Sequence, residues 1–266
     1  MKQKNKVVLI TGASSGIGLA TARFLHNKGY VVYGTSRREI VGENFNSIVA
    51  DVNNSQEMDK VFETILKQQG QLDVVVNNAG MGISGAVEHT QKSRVEGIFD
   101  VNTIACMDVC AKAVPVLRKN GGGKIINISS VASVFSIPFQ AYYSATKSAI
   151  EGFSFALANE VKKFNVKVCC IRPGDTKTGF TSARVKNEQN VDENYGDKIS
   201  KSVAKMEKDE QRGKPPESVS KVIYKTIKRK NPPPVCTVGF AYKTLCLLSK
   251  ILPTRLVNFL VGKLYG

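Results

Sequence analysis

The chain has 266 residues and an excess of basic side chains, with 38 Lys and Arg against 22 Asp and Glu, so its formal net charge is +16. This length suits one domain with a large buried core. No apolar run reaches the roughly 20 residues of a membrane-spanning helix. The polar residues 1–6 lead straight into an apolar run, so we expect no signal peptide. The basic residues lack interleaved exposed aromatic residues and any recognised nucleic-acid-binding motif, and we expect no nucleic-acid partner.

A glycine-rich turn follows the first predicted strand. The apolar run at residues 7–10 leads into the segment from Thr11 to Gly18, which reads TGASSGIG, and an amphipathic helix continues as far as Gly29. Glycines let a backbone approach a pyrophosphate closely, and the helix N-terminus offers free N–H groups to it. An ordinary tight turn needs one or two glycines. The three in this G-x-x-x-G-x-G spacing therefore favour a dinucleotide-binding loop.

The end of the second predicted strand indicates the cofactor. An NAD-specific fold usually has an acidic residue there, which binds the ribose 2′-hydroxyl. This chain has Ser36 at that place, followed by Arg37 and Arg38. A guanidinium can pair with a 2′-phosphate through its charge and its planar fork, so these residues favour NADP(H). The alternative is a pair of solvated surface arginines.

Seven strand-like runs alternate with helical segments, at residues 7–11, 30–35, 46–50, 72–77, 123–129, 166–172 and 235–239. This alternation is typical of a parallel sheet with helices on both faces, and we expect residues 1–266 to form a single α/β domain. The cysteines show no metal-ligand spacing and no secretory context. We therefore expect buried free thiols and no metal site. The cysteines are Cys106, Cys110, Cys169, Cys170, Cys236 and Cys246.

Tyr143 and Lys147 lie four residues apart, and Ser130 lies thirteen residues upstream of the tyrosine. On a helix, residues at a spacing of four project from one face. An ammonium beside a phenol favours the phenolate, so we expect the pKa of Tyr143 to lie below its ordinary value of about 10. Such a tyrosine can pass a proton to or from a carbonyl oxygen. The alternative is a surface Tyr and Lys that match the spacing by chance.

Six motifs in the correct order make the chain resemble the short-chain dehydrogenase/reductase family over nearly its whole length. They are the loop at 11–18, Asn-Asn-Ala-Gly at 77–80, Asn102, Ser130, the Tyr143 and Lys147 pair, and Pro-Gly-x-x-x-Thr at 173–178. The resemblance implies a Rossmann-like, doubly wound parallel sheet with strand order 3-2-1-4-5-6-7. It assigns cofactor contacts to Gly12, Ser14, Ser15, Gly16, Ile17, Gly18, Ser36, Arg37, Arg38, Asp51, Val52, Asn78, Ala79, Gly80, Tyr143, Lys147, Pro173, Gly174, Thr176 and Thr178.

The resemblance also assigns catalytic roles to four residues. Tyr143 is the general acid in reduction, and Lys147 lowers its pKa and holds the nicotinamide ribose. Ser130 binds the substrate oxygen and steadies developing negative charge. Asn102 supports a water that links Lys147 to bulk solvent. The adjacent Ser129 and Tyr142 do not have the family's spacing, which is thirteen residues from the serine to Tyr143 and four from the tyrosine to Lys147.

Two segments lie outside these motifs. Residues 181–214 are long, polar and lysine-rich, and the family places its mobile substrate lid there. From Ser218 onward there are nine Lys or Arg and no acidic residue, and residues 240–266 are also apolar, with Pro253 dividing them into two short helices. Apolar helix faces usually serve cores, which favours packing over the cleft or at a subunit interface. Basic residues beside an apolar face also suit a membrane surface.

These features favour an NADP(H)-dependent oxidoreductase that acts on a ketone or a secondary alcohol. The apolar tail and the apolar segment at 134–139 favour a lipophilic substrate, such as a steroid, a retinoid or another lipid. A 3-oxoacyl thioester is the alternative substrate, and a non-catalytic NADP-binding sensor is the alternative function, although such relatives usually lose the tyrosine or the lysine. We expect a cytoplasmic homodimer or homotetramer, with peripheral membrane contact through the tail as the second interpretation of that segment.

Overall fold

Seven parallel strands form the central sheet of the computed structural model, which describes residues 5–186 and 194–266. They are β1 (Val7–Thr11), β2 (Val31–Ser36), β3 (Asn46–Val49), β4 (Val74–Asn77), β6 (Gly123–Ile128), β7 (Val166–Arg172) and β9 (Val235–Thr237). The short strands β5 (Ile83–Ser84) and β8 (Val185–Lys186) pair in parallel outside this sheet. The order across the main sheet is β3-β2-β1-β4-β6-β7-β9. Counted along the chain, this is the predicted order 3-2-1-4-5-6-7, which is confirmed.

The central position of β1 explains its continuous apolar sequence. All its residues are buried, and Val8 is paired with Val32 of β2 on one side and with Val74 of β4 on the other. A parallel strand covered on both faces reads as an unbroken apolar run. Because successive side chains point to opposite faces, Val7 joins one core cluster and Val8 joins the other.

Helices cover both faces of the sheet. α1 (Gly16–His26) and α8 (Glu217–Lys228) contribute to the core cluster on one face, and α2 (Ser55–Gln69), α4 (Ala105–Lys119) and α5 (Ala141–Glu160) contribute to the cluster on the other. The remaining α-helices of the described residues are α3 (Lys92–Phe99), α6 (Phe180–Ala183), α7 (Lys198–Gln211), α9 (Phe240–Leu248) and α10 (Thr254–Tyr265). A π-helical turn at Asp100–Ile104 joins α3 to α4, and 3-10 turns lie at Val131–Ser133 and Lys162–Phe164. In such a sheet, ligands bind at the carboxyl ends of the strands.

The predicted strand boundaries agree with the structure to within two residues. The β5–β8 pair was not predicted, because two-residue strands leave no periodic pattern in the sequence. It joins the chain after Asn-Asn-Ala-Gly to the beginning of the predicted lid. The described parts of that lid form α6, β8 and α7. Residues 187–193 of the lid, and residues 1–4 of the N-terminal segment, lie outside the described residues.

The tail forms two helices, α9 and α10, on either side of Pro253, as predicted. The ring of Tyr242 on α9 lies against Gly174, where a Cβ would come within 2.1 Å of its Cδ2. Tyr265 at the end of α10 packs on a cluster that contains Met206 of α7. Among the described residues, no helix has the length and apolar character to cross a bilayer.

Candidate active site

The glycines after β1 are required by backbone geometry and by packing. Gly12 and Gly16 have φ angles of +66° and +53°, which residues with a Cβ rarely adopt. A Cβ on Gly12 would lie 2.8 Å from Cα of Ala79, and one on Gly18 would lie 2.1 Å from the carbonyl oxygen of Gly12. The loop is therefore held close to the segment after β4 in a conformation that only glycine allows.

Hydrogen bonds join the glycine-rich loop to the Asn-Asn-Ala-Gly segment. Thr11 Oγ1 accepts hydrogen bonds from the backbone N–H groups of Asn78 at 3.0 Å and Ala79 at 3.1 Å. Asn78 Nδ2 donates to the carbonyl oxygens of Thr11 and Gly12, both at 3.0 Å. At the N-cap of α1, Ser15 makes no side-chain cap hydrogen bond to the described part of the chain. The first N–H groups of α1 can therefore bind an anionic group.

A cavity of about 640 Å³ runs along this edge of the sheet, a size within the range of small-molecule pockets. Every predicted cofactor contact lines it except Gly18, and so do the predicted catalytic residues Ser130, Tyr143 and Lys147. Asn102 does not line it. The glycine-rich loop after β1 (the glycine cradle), the N-terminus of α1 and the predicted catalytic side chains therefore line the same cavity. This arrangement fits a dinucleotide cofactor.

The far end of the cavity is lined by Ser36, Arg37 and Arg38. Both arginines are exposed. Ser36 Oγ accepts a hydrogen bond from the backbone N–H of Arg38 at 3.2 Å, which fixes the turn after β2. Asp51 also lines this end, and its Oδ1 accepts from the backbone N–H of Asn53 at 3.0 Å. Two guanidinium groups are thus available to a ligand at this end.

Tyr143 lies on α5, with Lys147 one turn later. The Lys147 Nζ lies 5.6 Å from the centre of the Tyr143 ring and donates a hydrogen bond to the carbonyl oxygen of Ile128 at 2.9 Å. Desolvation raises the pKa of Tyr143 to about 12, although a hydrogen bond with Ser130 opposes this rise. The predicted lowering of this pKa is therefore wrong. The four-residue spacing shows only that the two residues are close. Burial of the phenol raises its pKa, and the lysine does not offset this because its ammonium donates to Ile128.

Burial also lowers the pKa of Lys147 to about 8. The consequence for Tyr143 is simple, because a phenol with a pKa of about 12 keeps its proton at neutral pH. It can therefore act as a proton donor towards a developing alkoxide. For proton donation, a raised pKa is therefore favourable, because it keeps the proton on the phenol.

Asn102 lies behind the catalytic residues, on the π-helical turn, and is buried. Its Oδ1 accepts from the backbone N–H of Met81 at 2.8 Å, and its Nδ2 donates to the carbonyl oxygen of Met81 at 2.9 Å. Nδ2 also lies 3.2 Å from Thr146 Oγ1 on α5. Asn102 therefore ties the chain after Asn-Asn-Ala-Gly to the helix that carries Tyr143. Its predicted role in holding a water stays a prediction.

The hydroxyl groups next to the predicted catalytic ones are engaged elsewhere. Ser129 Oγ donates a hydrogen bond to Glu151 Oε1 at 2.7 Å. Glu151 Oε1 also accepts a hydrogen bond from Arg172 Nε at 2.8 Å. Tyr142 Oη donates to the carbonyl oxygen of Val87 at 3.3 Å. Ser129 also lines the cavity, but its hydroxyl group is engaged by Glu151, and Tyr142 does not line the cavity.

The substrate side of the cavity was predicted only by segment, as the lid at 181–214 and the tail, because its individual residues come from separate parts of the chain. It is lined by Met81, Gly82, Gln140, Asp175, Phe180, Ala183, Val185, Met206, Glu210 and Tyr265. The ring of Phe180 lies 5.6 Å from that of Tyr143. Of the apolar residues at 134–139, Ile137 lines the cavity. Phe139 packs edge-on against Tyr195, with 5.9 Å between the ring centres.

Carboxylates lie at this side of the cavity, despite the basic composition of the chain. Glu210 is paired with Arg184. Asp175 accepts a hydrogen bond from Tyr242 Oη of the tail, and in the described part of the chain it has no ion-pair partner. Burial raises the pKa of Asp175, and the charges of Asp209 and Glu210 add to the rise. The one sequence signal for Asp175 at the cavity is its position directly after the Pro173-Gly174 motif.

The comparisons with known proteins agree with this geometry. Residues 6–189 match the family model described as short chain dehydrogenase. The 3-ketodihydrosphingosine reductase of Bacteroides thetaiotaomicron is 42% identical over 265 residues, which cover 98% of each chain. A short-chain dehydrogenase from Streptomyces avermitilis has a TM-score of 0.82 at 28% identity and covers 94% of each chain. ElxO with NADP bound has a TM-score of 0.74 at 25% identity, covering 90% of this chain and 99% of that one.

The site and the comparisons together define an oxidoreductase with a fold that binds a nicotinamide dinucleotide. The chain belongs to the short-chain dehydrogenase family. Members of the family act on small-molecule substrates with NAD(H) or NADP(H).

Proposed function

We propose that this protein is an NADP(H)-dependent reductase of a lipophilic ketone, with a long-chain 2-amino-3-ketone as the best candidate substrate. The observation that carries the reaction type is that Ser130, Tyr143 and Lys147 line the same cavity as the glycine cradle. The cofactor, when bound, supplies the hydride. The similarity to a 3-ketodihydrosphingosine reductase over 98% of both chains supports the substrate class.

The residues of the chain then have separate roles. Tyr143 Oη, with its raised pKa, donates a proton to the carbonyl oxygen as that oxygen becomes negative. Ser130 donates a hydrogen bond to the same oxygen. Lys147 holds the nicotinamide ribose and, as an ammonium, favours return of a proton to Tyr143. Asn102 keeps the segment at Met81 in place through its paired backbone hydrogen bonds.

The arginines after β2 support NADP(H) over NAD(H). Arg37→Ala should weaken NADPH binding by about 10- to 100-fold, the range of one or two charge-assisted hydrogen bonds, and NADH binding by much less, because NADH has no 2′-phosphate. The measurement is a titration of both cofactors on both proteins. Arg255→Ala, at an exposed arginine outside the cavity, is the matched control. Equal affinity of the natural protein for both cofactors would contradict the proposed preference.

Asp175 supports an amino ketone over an acyl thioester. A sphingoid ketone carries an ammonium close to the carbonyl group that is reduced, whereas a 3-oxoacyl thioester carries none. Asp175 lines the cavity and accepts only a neutral donor, Tyr242, among the side-chain contacts of the described residues. Its carboxylate is therefore available for a charge-assisted hydrogen bond to the ammonium.

The test is NADPH consumption with 3-ketodihydrosphingosine, with its N-acetyl derivative and with a 3-oxoacyl thioester. We expect the free amine to be the best substrate, and Asp175→Asn to lower its kcat/KM by about 10- to 100-fold while leaving the N-acetyl ketone nearly unchanged. Asp59→Asn, at an exposed carboxylate outside the cavity lining, is the control. Preference for the thioester would favour the alternative function, and absence of turnover on every ketone would favour an NADP-binding sensor.

We further propose that the enzyme works in the cytoplasm as a homodimer or homotetramer, and that it contacts a membrane surface from which a lipid substrate can be drawn. The absence of acidic residues from Ser218 onward supports this contact, because anionic headgroups would meet only basic side chains there.

A further inference from the structure

Helices α9 and α10 expose a concentrated apolar surface. Of the fourteen large apolar side chains that are exposed among the described residues, nine lie in residues 240–266. Exposed apolar residues that are scattered singly need no explanation, whereas a contiguous group marks an interaction site. The nine are Phe240, Leu245, Leu247, Leu248, Ile251, Leu256, Phe259, Leu260 and Leu264; together with the basic residues among them, they are called the α9–α10 surface below.

The helical spacing shows that this surface is separate from the packing face of α10. Val261 is buried, and Tyr265, one turn later, packs on the cluster around α7. Leu256, Leu260 and Leu264 also follow one another at a spacing of four, but they are 41%, 44% and 59% exposed. Because residues at this spacing share a helix face, α10 has two apolar faces, of which one is packed and the other meets solvent.

Basic side chains accompany the exposed apolar ones. Lys243, Lys250, Arg255 and Lys263 are all exposed, and Arg255 and Lys263 lie one turn before and one turn after Phe259. Long basic side chains can lie along an apolar surface while the charged group stays in water. A second copy of the chain would bring like charges together in a symmetric interface, whereas an anionic lipid surface accommodates both the charges and the apolar groups.

We propose that the α9–α10 surface is an interfacial membrane-docking site, which inserts its apolar side chains among lipid chains and binds anionic headgroups through its four basic residues. α10 has 12 residues, about 18 Å of helix, so it lies along the interface and does not cross the roughly 30 Å hydrocarbon core.

The docking site is the reverse side of the cavity wall. Tyr242 on the packed face of α9 donates a hydrogen bond to Asp175, and Tyr265 of α10 lines the cavity. If the proposed lipophilic substrate is correct, docking places the cavity beside the lipid phase that contains it. The docking itself does not depend on the identity of the substrate.

The test is flotation of the full chain with vesicles of phosphatidylcholine alone or mixed with phosphatidylglycerol. We expect binding to the anionic vesicles and its loss at high salt. The double variant Phe259→Ser and Leu260→Ser should lower the partition coefficient at least about tenfold, since two large apolar side chains no longer insert. Val41→Ser and Val87→Ser, at exposed apolar residues far from the tail in sequence, form the control and should bind as the natural protein does. NADPH titration checks that each variant is folded.

Two further measurements distinguish docking to a lipid surface from docking to a second copy of the chain. Arg255→Glu with Lys263→Glu should abolish the preference for anionic vesicles if the basic residues bind headgroups. Light scattering of the natural protein and of the Phe259→Ser and Leu260→Ser variant compares their assembly. Failure of the natural protein to float with anionic vesicles would overturn the proposal. A natural dimer that the double variant separates into monomers would assign this surface to a second copy instead.

Discussion

Tyr143→Phe should lower kcat for ketone reduction by at least about a hundredfold, the usual contribution of general acid catalysis, while NADPH binds nearly as before. The substitution keeps the ring, and therefore its contact with Phe180, but it removes the only proton that the phenol can donate. Because the pKa of Tyr143 is raised to about 12 by burial, this proton is present throughout the neutral range in the natural enzyme.

The matched control for this prediction is Tyr142→Phe. Tyr142 is adjacent in sequence, but its hydroxyl group bonds to the carbonyl oxygen of Val87 and it does not line the cavity. It should keep turnover within about twofold, as expected for a hydroxyl group with no part in proton transfer. Steady-state kinetics with NADPH, together with cofactor titration, measure both effects. If Tyr143→Phe turns over at the natural rate, the proton comes from another group and the proposed chemistry is wrong.

The cofactor side of the site was predictable from the sequence because its parts are local. The loop from Thr11 to Gly18 joins a strand to a helix, and the φ angles of Gly12 and Gly16 explain why glycine is needed there. The strand order came from the family resemblance, and the apolar run at β1 fits a strand that is covered on both faces. The glycine-rich loop and the apolar run of β1 each lie within a few consecutive residues.

The substrate side was not predictable in the same way. Asp175, Met206 and Tyr265 meet at one cavity only because α7 and the tail fold back over the carboxyl ends of the strands. No spacing pattern in the sequence predicts that these three residues lie close together. The pKa of Tyr143 was misjudged for a related reason, since the four-residue spacing to Lys147 shows neither the desolvation of the phenol nor the hydrogen bond from the lysine to Ile128.

The tail shows both outcomes in one segment. Its division into two short helices at Pro253 followed from the sequence and is confirmed. The general rule that apolar helix faces serve a core favoured a packed tail, and it holds for the faces that carry Tyr242 and Tyr265. It fails for the face that carries Leu256 and Phe259, which are 41% and 63% exposed. Sequence spacing identifies a face, but only packing shows whether a neighbour covers it.

Glu151 holds a buried ion pair beneath the catalytic segment. Its Oε1 accepts hydrogen bonds from Ser129 Oγ and Ser133 Oγ, both at 2.7 Å, and from Arg172 Nε at 2.8 Å, and its other oxygen also pairs with Arg172. The side chains of Glu151 and Arg172 are 8% and 11% exposed. Burial acts to raise the pKa of Glu151, but the hydrogen bonds from Arg172 and the two serines outweigh it, so that the pKa lies below its ordinary value.

Glu151→Ala should therefore lower the free energy of unfolding by about 3–5 kcal/mol, the usual result of leaving one buried charge without its partner. For a domain of this size the melting temperature should fall by about 10 °C. Thermal unfolding followed by circular dichroism measures the effect. Glu160→Ala, at an exposed position on the same helix, is the control and should stay within about 0.5 kcal/mol of the natural protein.

The pH dependence of the same variant separates loss of charge pairing from loss of packing. A carboxyl whose pKa is lowered on folding stabilises the fold above its unfolded pKa of about 4.3, and this stabilisation is lost as the pH falls through the folded pKa. The difference in stability between the natural protein and Glu151→Ala should therefore shrink on acidification below about pH 4. Glu151→Gln, which keeps the shape and some hydrogen bonds, should lie between the two at neutral pH. A difference that stays constant with pH would show that Glu151 acts through packing and that its charge contributes little.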